Sequence, residues 1–375
     1  MSPRNSSNYS LVGLFLVMVG VAASGCVGAI AEPGQWLAIH CKLKGVDTIP
    51  ADAANLELLL NGKEGLQEYY RDISYGSYVP QFTHVQSWVA VDQTPDDDAK
   101  LTRGARIQNC VDAHVKAGDV SDVGKYQGII VFRNVSIDSG NAGNVLLDIG
   151  AWNVTFGAHE MGHTLGLEHS FDTSDRKNSS WSAPGEYFDP WDIMSAMAVY
   201  GFSNANGFTA GPDLNASSKI LLGWMPAKDV QWFNFADISS SPMTLTLGRF
   251  DQPDGANPLV VGVRLVDGRF YTVEFRPKAG WDRAIPSDGV MIHRVELGGT
   301  RPYVMPGGAY QPGASFTSAE GLQVDILAMD AESGIAQIAL SHPVQPLLLK
   351  PLVKSLPDIL GAGAMQIPQL PFKGI

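Results

Sequence analysis

The sequence is most informative at Ala158-His159-Glu160-Met161-Gly162-His163-Thr164-Leu165-Gly166-Leu167-Glu168-His169, where residues 159–169 read H-E-x-x-H-x-x-G-x-x-H. On a helix, His159 and His163 stand four residues apart, so both imidazoles leave the same face and can bind one metal ion. Gly166 lets the backbone leave the helix through a left-handed conformation, which would return His169 to the same point as a third ligand. The pattern therefore predicts a metal site with three histidine ligands.

The ligand type indicates zinc. Three neutral imidazoles favour Zn²⁺ and leave a fourth position open for water, whereas a closed structural site needs four ligands, usually including cysteines. Glu160 lies one residue further round the helix, badly aimed to ligate the metal but well placed to act as a general base on a metal-bound water. The alternative is a surface helix that carries histidines by chance. It would need five fixed positions to coincide in a chain with 8 histidines and 40 glycines.

Bulk composition describes a globular protein. The chain has 375 residues, with 45% hydrophobic and 17% charged residues, which is enough for two domains with cores of their own. The net charge of −12 excludes nucleic acid as an expected partner, because phosphates would find no basic surface. We read the acidity as a contribution to solubility.

The N-terminus has the layout of an export signal, which we assign to residues 1–31. Arg4 is the only charged side chain ahead of the apolar run from Leu11 to Ala23, and small residues precede Glu32. The sequence thus predicts a secreted, extracellular protein. Two alternatives remain: a lipid anchor at Cys26, or an uncleaved segment that runs on to Ile30 and spans the membrane.

The cysteines agree with export. Cleavage or lipidation would take Cys26 out of the count and leave Cys41 and Cys110 as the only pair. In an oxidising compartment we expect these two to form a disulfide bond.

The first part of the chain alternates strands and helices. Strands are expected at Trp36 to Lys42, Thr83 to Val91, Gly128 to Val135 and Val145 to Ile149, with helical periodicity at Leu56 to Ser74. The acidic run after Thr94-Pro95 is read as the start of a helix reaching about Lys116, in preference to a calcium loop. The order predicts a mostly parallel sheet covered by helices, ending in the zinc helix, within a catalytic domain at 32–225.

The second part has a different pattern. A further helix is expected at Ser217 to Leu222, after which short alternating segments predict an antiparallel β-sandwich at 226–342. Its expected strands are Met243 to Leu247, Leu259 to Val266, Arg269 to Arg276, Gly289 to Glu296, Leu322 to Met329 and Ile335 to Ser341. Residues 343–375 form a tail rich in proline and leucine, without a regular period.

The histidine motif and a methionine segment downstream resemble the metzincin clan of zinc metallopeptidases. Within it, the chain looks most like the gametolysin-like and immune inhibitor A-like secreted proteases. The resemblance implies an α+β catalytic domain in which Met194, in Asp192-Ile193-Met194-Ser195, packs beneath the zinc site without ligating it. Met197 is a second candidate for this methionine. Some metzincins place an assisting tyrosine two residues after it; here that position is Ala196, so no such role carries over.

The sequence therefore predicts a secreted zinc endopeptidase. Its substrate would be a protein or peptide, such as an extracellular-matrix or cell-wall protein, and it would meet a membrane only through a lipid anchor or an uncleaved signal. Two alternatives stay open: a zinc hydrolase acting on a non-peptide bond, and an extracellular binding or adhesion protein with a vestigial protease domain. The intact Glu160 argues against the vestigial form.

Overall fold

The structure, a computed structural model, describes residues 32–195, 199–296, 298 and 300–342. Its α-helices are α1 (Leu56–Asn61), α2 (Leu66–Ile73), α3 (Pro95–Asp98), α4 (Arg103–Ala117), α5 (Val154–Thr164) and α6 (Ala216–Leu221). Its strands are β1 (Glu32–Leu43), β2 (Gln81–Val91), β3 (Tyr126–Arg133), β4 (Gly140–Asn141), β5 (Val145–Leu147), β6 (Phe171–Asp172), β7 (Phe202–Ser203), β8 (Thr209–Ala210), β9 (Val230–Asn234), β10 (Met243–Gly248), β11 (Val260–Arg264), β12 (Phe270–Arg276), β13 (Gly289–Val295), β14 (Pro302–Val304), β15 (Ser315–Thr317), β16 (Gln323–Asp330) and β17 (Ile335–Ser341).

The chain divides into two compact units. Among the described residues, the first comprises 32–50 and 80–149, and the second comprises 51–79 and those from 150 to 342. At the predicted boundary after residue 225 the secondary structure changes: the described residues beyond it form strands and short 3-10 helices without an α-helix. The fold is mixed, with several sheets and few helices, which confirms the α+β class.

The first unit holds a five-stranded sheet in the order β2-β1-β3-β5-β4. All its pairings are parallel except β4 with β5, so the predicted mostly parallel sheet is confirmed. Strands β1 and β3 are central in the sheet and largely buried, as the β-branched run Ile129-Ile130-Val131 predicts for β3. Helix α4 lays Ile107, Cys110 and Val111 against the strand residues Leu37 and Ile39.

Two predicted helices are each interrupted. The segment Leu56 to Ser74 forms α1 and α2, separated at Gly62 and Gly65, where an added Cβ would meet backbone atoms within 3 Å. Thr94 does cap a helix, since its hydroxyl accepts a hydrogen bond from the Asp97 N–H. That helix ends at Asp98 and a new one begins after Thr102, whose side chain accepts from the Ala105 N–H. A single helix from Thr94 to Lys116 was therefore wrong, because a second capping residue restarts it.

Buried ion pairs fix the acidic helix start. Asp98 is buried and pairs with Arg133 and with Arg106, at 2.8 and 3.3 Å. Arg133 also forms a two-pronged pair with Asp148, at 2.7 and 2.8 Å. One of the three acids that suggested calcium thus faces inward as an arginine partner.

The second unit contains two largely antiparallel sheets that share one core. The four-stranded sheet has the order β10-β17-β16-β15, and the six-stranded sheet has the order β6-β14-β13-β12-β11-β9. Their facing side chains form one buried cluster that includes Val263, Val273, Ile292, Val324 and Ile338. Two pairings of the six-stranded sheet, β14 with β6 and β11 with β9, are parallel and were not predicted.

Several predictions lie outside the described residues. They are the signal segment 1–31 with Cys26, the tail 343–375, and the positions Ala196 and Met197. Within the described ranges, no helix is long and apolar enough to cross a membrane.

The predicted disulfide is confirmed: Cys41 on β1 bonds to Cys110 on α4, with Cα atoms 5.9 Å apart. It closes a loop across a separation of 69 residues. Because a crosslink restricts the unfolded chain, we expect its loss to lower the free energy of unfolding by about 4 kcal/mol. Denaturant unfolding with and without reductant measures this. The double variant Cys41→Ala/Cys110→Ala is the control, since reductant should not change its stability. Equal stability of the oxidised and reduced native chain would contradict the prediction.

Candidate metal centre

The helix of the motif is α5, and its ends are set locally. Asn153 caps it, because its side-chain oxygen accepts a hydrogen bond from the Phe156 N–H at 2.8 Å. The helix ends at Thr164, and the chain then turns through Gly166, which has a φ of +95°. That left-handed conformation is strained for any residue with a Cβ. The sequence reading of Gly166 as the turning residue thus agrees with the backbone.

The three predicted ligands come together. The Nε2 atom of His163 lies 3.1 Å from the Nε2 atom of His159 and 3.1 Å from that of His169. These histidines form one of the two groups in the described chain whose atoms could hold a metal ion. The other group is Cys41, Cys110 and His114, but its cysteines are joined in the disulfide and offer no thiolate.

Hydrogen bonds at the opposite ring nitrogens fix the tautomer of each histidine. Nδ1 of His159 faces the Ile193 carbonyl oxygen at 2.8 Å, and Nδ1 of His163 faces the Leu167 carbonyl oxygen at 2.9 Å. Nδ1 of His169 lies 2.6 Å from Oε1 of Glu186. Because these oxygens can only accept, each Nδ1 carries the proton and each Nε2 presents a lone pair.

Burial keeps the His159 and His163 imidazoles neutral. It lowers the pKa of His159 to about 3, with repulsion from His163 adding to the effect, and it also lowers the pKa of His163. Three neutral acceptors at van der Waals distance repel one another unless a cation lies between them. With Zn–N bonds of about 2.0–2.1 Å, a tetrahedral ion needs nitrogens roughly 3.3 Å apart, close to the separations present here. The donor set therefore fits a zinc ion.

Glu160 stands beside these ligands on α5 and is 6% exposed. The helix is held at this level by Tyr70 of α2, whose hydroxyl donates to the Ala158 carbonyl oxygen at 2.7 Å. Burial raises the pKa of Tyr70 well above its ordinary value, and the nearby Glu160 carboxylate adds to the rise.

Met194 lies against the motif helix. It is fully buried, and a Cβ built on Gly162 would lie 2.5 Å from its sulfur, so the methionine fills the space that Gly162 leaves open. The Ser170 N–H donates to the Met194 carbonyl oxygen at 3.0 Å, which ties this turn to the chain just after His169. The methionine expected from the resemblance thus packs beside the ligand helix.

Two residues of the centre were missed from the sequence, Glu186 and Tyr187. Glu186 accepts from His169 and, through Oε2, from the Ala183 N–H at 2.7 Å. The Tyr187 hydroxyl lies 3.1 Å from Nε2 of His169, and the two rings are 4.3 Å apart. Tyr187 has a φ of +67°, which is unusual for a bulky residue and typical of functional sites. The aromatic and acidic character of the segment around Glu186 and Tyr187 was the one signal in the sequence. No fixed spacing links that segment to the histidine motif.

Comparisons with known proteins give little. No family model matches the chain, and no curated protein does. Among solved structures, OgpA from Akkermansia muciniphila is similar in two crystal forms. One has 12% identity and a TM-score of 0.35, covering 85% of this chain and 96% of the other. The second has 14% identity and a TM-score of 0.34, covering 87% and 97%. Likenesses of this size leave function to be inferred from the site itself.

Glu186 should strengthen metal binding through His169. In Glu186→Gln the charge is lost, and either the His169 Nδ1–H or the Ala183 N–H loses a strong acceptor. We expect zinc affinity to fall about 10–100-fold, measured by competition with a chromophoric chelator. Glu332→Gln, the same change at an exposed position, is the control and should bind zinc as the native chain does. Equal affinity of the two variants would show that Glu186 does not tune the site.

Proposed function

We propose that this protein is a zinc-dependent endopeptidase of the metzincin type. The observation that carries the proposal is the convergence of three Nε2 lone pairs beside a buried glutamate on the same helix. Support also comes from Met194, which packs against the ligand helix where the resemblance expects a methionine. The three histidines would hold one zinc ion and leave its remaining position to water and substrate.

A bound zinc ion would activate water and polarise the peptide carbonyl group. Glu160 accepts the proton of the attacking water and returns it to the amine that leaves. Each histidine donates a hydrogen bond from its Nδ1–H, and the acceptors are Ile193, Leu167 and Glu186. These hydrogen bonds keep the imidazole rings oriented during the reaction. Tyr187 donates a hydrogen bond from its hydroxyl to the carbonyl oxygen as that atom gains negative charge.

We also propose that the protein works outside the cytoplasm. The Cys41–Cys110 disulfide supports this, because such bonds persist in oxidising compartments. A protein or peptide of the extracellular matrix or the cell wall fits that location as a substrate. The non-peptide hydrolase and the vestigial adhesion protein are the alternatives, and assays of peptide cleavage separate them from the proposal.

Glu160→Gln tests the reaction. Zinc content after dialysis should be unchanged, because Glu160 is not a ligand, whereas cleavage of a denatured protein should fall by at least about 10²–10⁴-fold. Glu332→Gln serves again as the control and should retain full cleavage that a chelator abolishes. Undiminished cleavage by Glu160→Gln would contradict the mechanism, and no cleavage of any peptide by the native chain would contradict the peptidase.

Tyr187→Phe tests the hydroxyl beside His169. If the O–H stabilises charge that develops during the reaction, kcat should fall about 10²–10³-fold with little change in KM. Zinc affinity, measured in parallel, should stay within about threefold, since any ligand lost would weaken it far more. An unchanged kcat would remove Tyr187 from the mechanism.

A further inference from the structure

Two adjoining cavities open beside the metal ligands. The first, of about 220 Å³, is lined by His163, Leu167, Glu168, His169, Phe171, Glu186 and Arg301. The second, of about 440 Å³, has a lining that includes Phe171, Asp172, Ala183, Arg294, Arg301 and Tyr303. Since Phe171 and Arg301 line both, the two form one depression that leads away from His169. We call its wall of Phe171, Arg294, Arg301 and Tyr303 the arginine cleft.

The cleft is fixed to the metal centre by the backbone. Phe171 begins β6 two residues after His169, and β6 pairs with β14 so that Phe171 lies opposite Tyr303. The two aromatic rings are 5.2 Å apart. The Arg301 guanidinium lies 4.8 Å from the Phe171 ring centroid, and the Arg294 guanidinium lies 5.5 Å from the Tyr303 centroid. Rings at these distances restrict the guanidinium planes, which lowers the entropy lost when a ligand binds.

Both arginines keep donors to spare. Arg301 directs Nε and Nη2 to the same oxygen of Glu168, at 3.3 and 3.2 Å, and this pair is almost half exposed to solvent. Arg294 binds Glu296 through Nη2 at 2.7 Å, while its Nε is buried with no hydrogen-bond partner among the described residues. A guanidinium has five N–H donors, so each pair leaves a further face for a second acceptor.

The other acids that line the depression already have partners. Asp172 accepts from Ser174 and pairs with Arg176 at 2.5 Å, which holds its pKa below the usual range despite the opposing effect of burial. Glu186 accepts from His169 and the Ala183 N–H. The carboxylates of Asp172 and Glu186 are therefore already hydrogen-bonded to neighbouring groups. The remaining donors of Arg294 and Arg301 are the groups left to bind a ligand.

We propose that the arginine cleft binds the carboxylate of an aspartate or glutamate side chain in the peptide substrate. The inference rests on the proposed peptidase function and names its substrate class: acidic peptides. The incoming carboxylate takes the place of the loosely held, exposed Glu168 on Arg301 and forms a planar two-pronged pair. Specificity then comes from Arg301, with Arg294 as the second donor deeper in the cleft.

Binding can be measured without cleavage, on zinc-loaded Glu160→Gln protein with fluorescent peptides. The peptides are made in pairs, one pair for each position tested, with Glu at that position in one peptide and Gln in the other. We expect the Glu peptide to bind about 10–100-fold more tightly at one position, a preference that weakens with salt. Arg301→Gln should abolish the preference. Glu168→Gln should increase it, because the competing carboxylate is gone.

A matched control separates the cleft from general surface charge. Arg264→Gln removes an exposed arginine on β11, three strands from β14 in the same sheet, and should leave the preference unchanged. No preference for Glu at any position, or a preference that survives Arg301→Gln, would overturn the cleft proposal. A native chain that cleaves nothing but binds Glu peptides through Arg301 would support the cleft and overturn the peptidase. Cleavage that depends on Glu160 but shows no preference for Glu would support the peptidase and overturn the cleft.

Discussion

The centre depends on three imidazole lone pairs that converge. The Nε2 atom of His163 lies 3.1 Å from the Nε2 atom of His159 and 3.1 Å from that of His169. Such a cluster is unfavourable without a cation, so each ring must be held from behind. The holding groups are the carbonyl oxygens of Ile193 and Leu167 and the carboxylate of Glu186. Two of the three lie more than 15 residues beyond the motif in the chain, so the motif depends on a distant loop for its geometry.

That loop is held in turn by buried polar contacts with the six-stranded sheet and with the start of α6. Asp189 accepts from His293 of β13 at 3.0 Å, and both side chains are fully buried. Burial would lower the pKa of His293, but the hydrogen bond and the charge of Asp189 outweigh it and raise that pKa. Asp192 accepts from Asn215, and burial, with repulsion from Asp189, raises its pKa to about 6. Because an unpartnered buried charge is costly, the turn that carries Met194 has little freedom to move.

Much of the fold follows from local patterns. Ten of the seventeen strands in the described residues were predicted to within a few residues, since alternation and apolar runs reflect burial directly. The other seven were not predicted: β4, β6, β7, β8, β9, β14 and β15. The helix interruptions after Asn61 and Asp98 were not predicted, because the helical periodicity of the sequence continues across them. Gly62 and Gly65 break the first helix, and a second cap at Thr102 restarts the other. The pairing of β6 with β14 could not be predicted either, since strands of two and three residues carry no period of their own.

Several features could be predicted from the sequence: His159, His163 and His169 as metal ligands, Glu160 as the base, the turn at Gly166 and the Cys41–Cys110 bridge. These predictions follow from helix periodicity, backbone sterics and cysteine count, which are local or compositional properties, whereas that of Met194 came from the resemblance to metzincins. The three-dimensional structure was needed to show which acid supports His169, which tyrosine lies beside it, and which arginines line the depression next to it. Glu186, Tyr187, Arg294 and Arg301 reach the centre through sheet pairing and loop packing, and such long-range contacts have no fixed spacing in the chain.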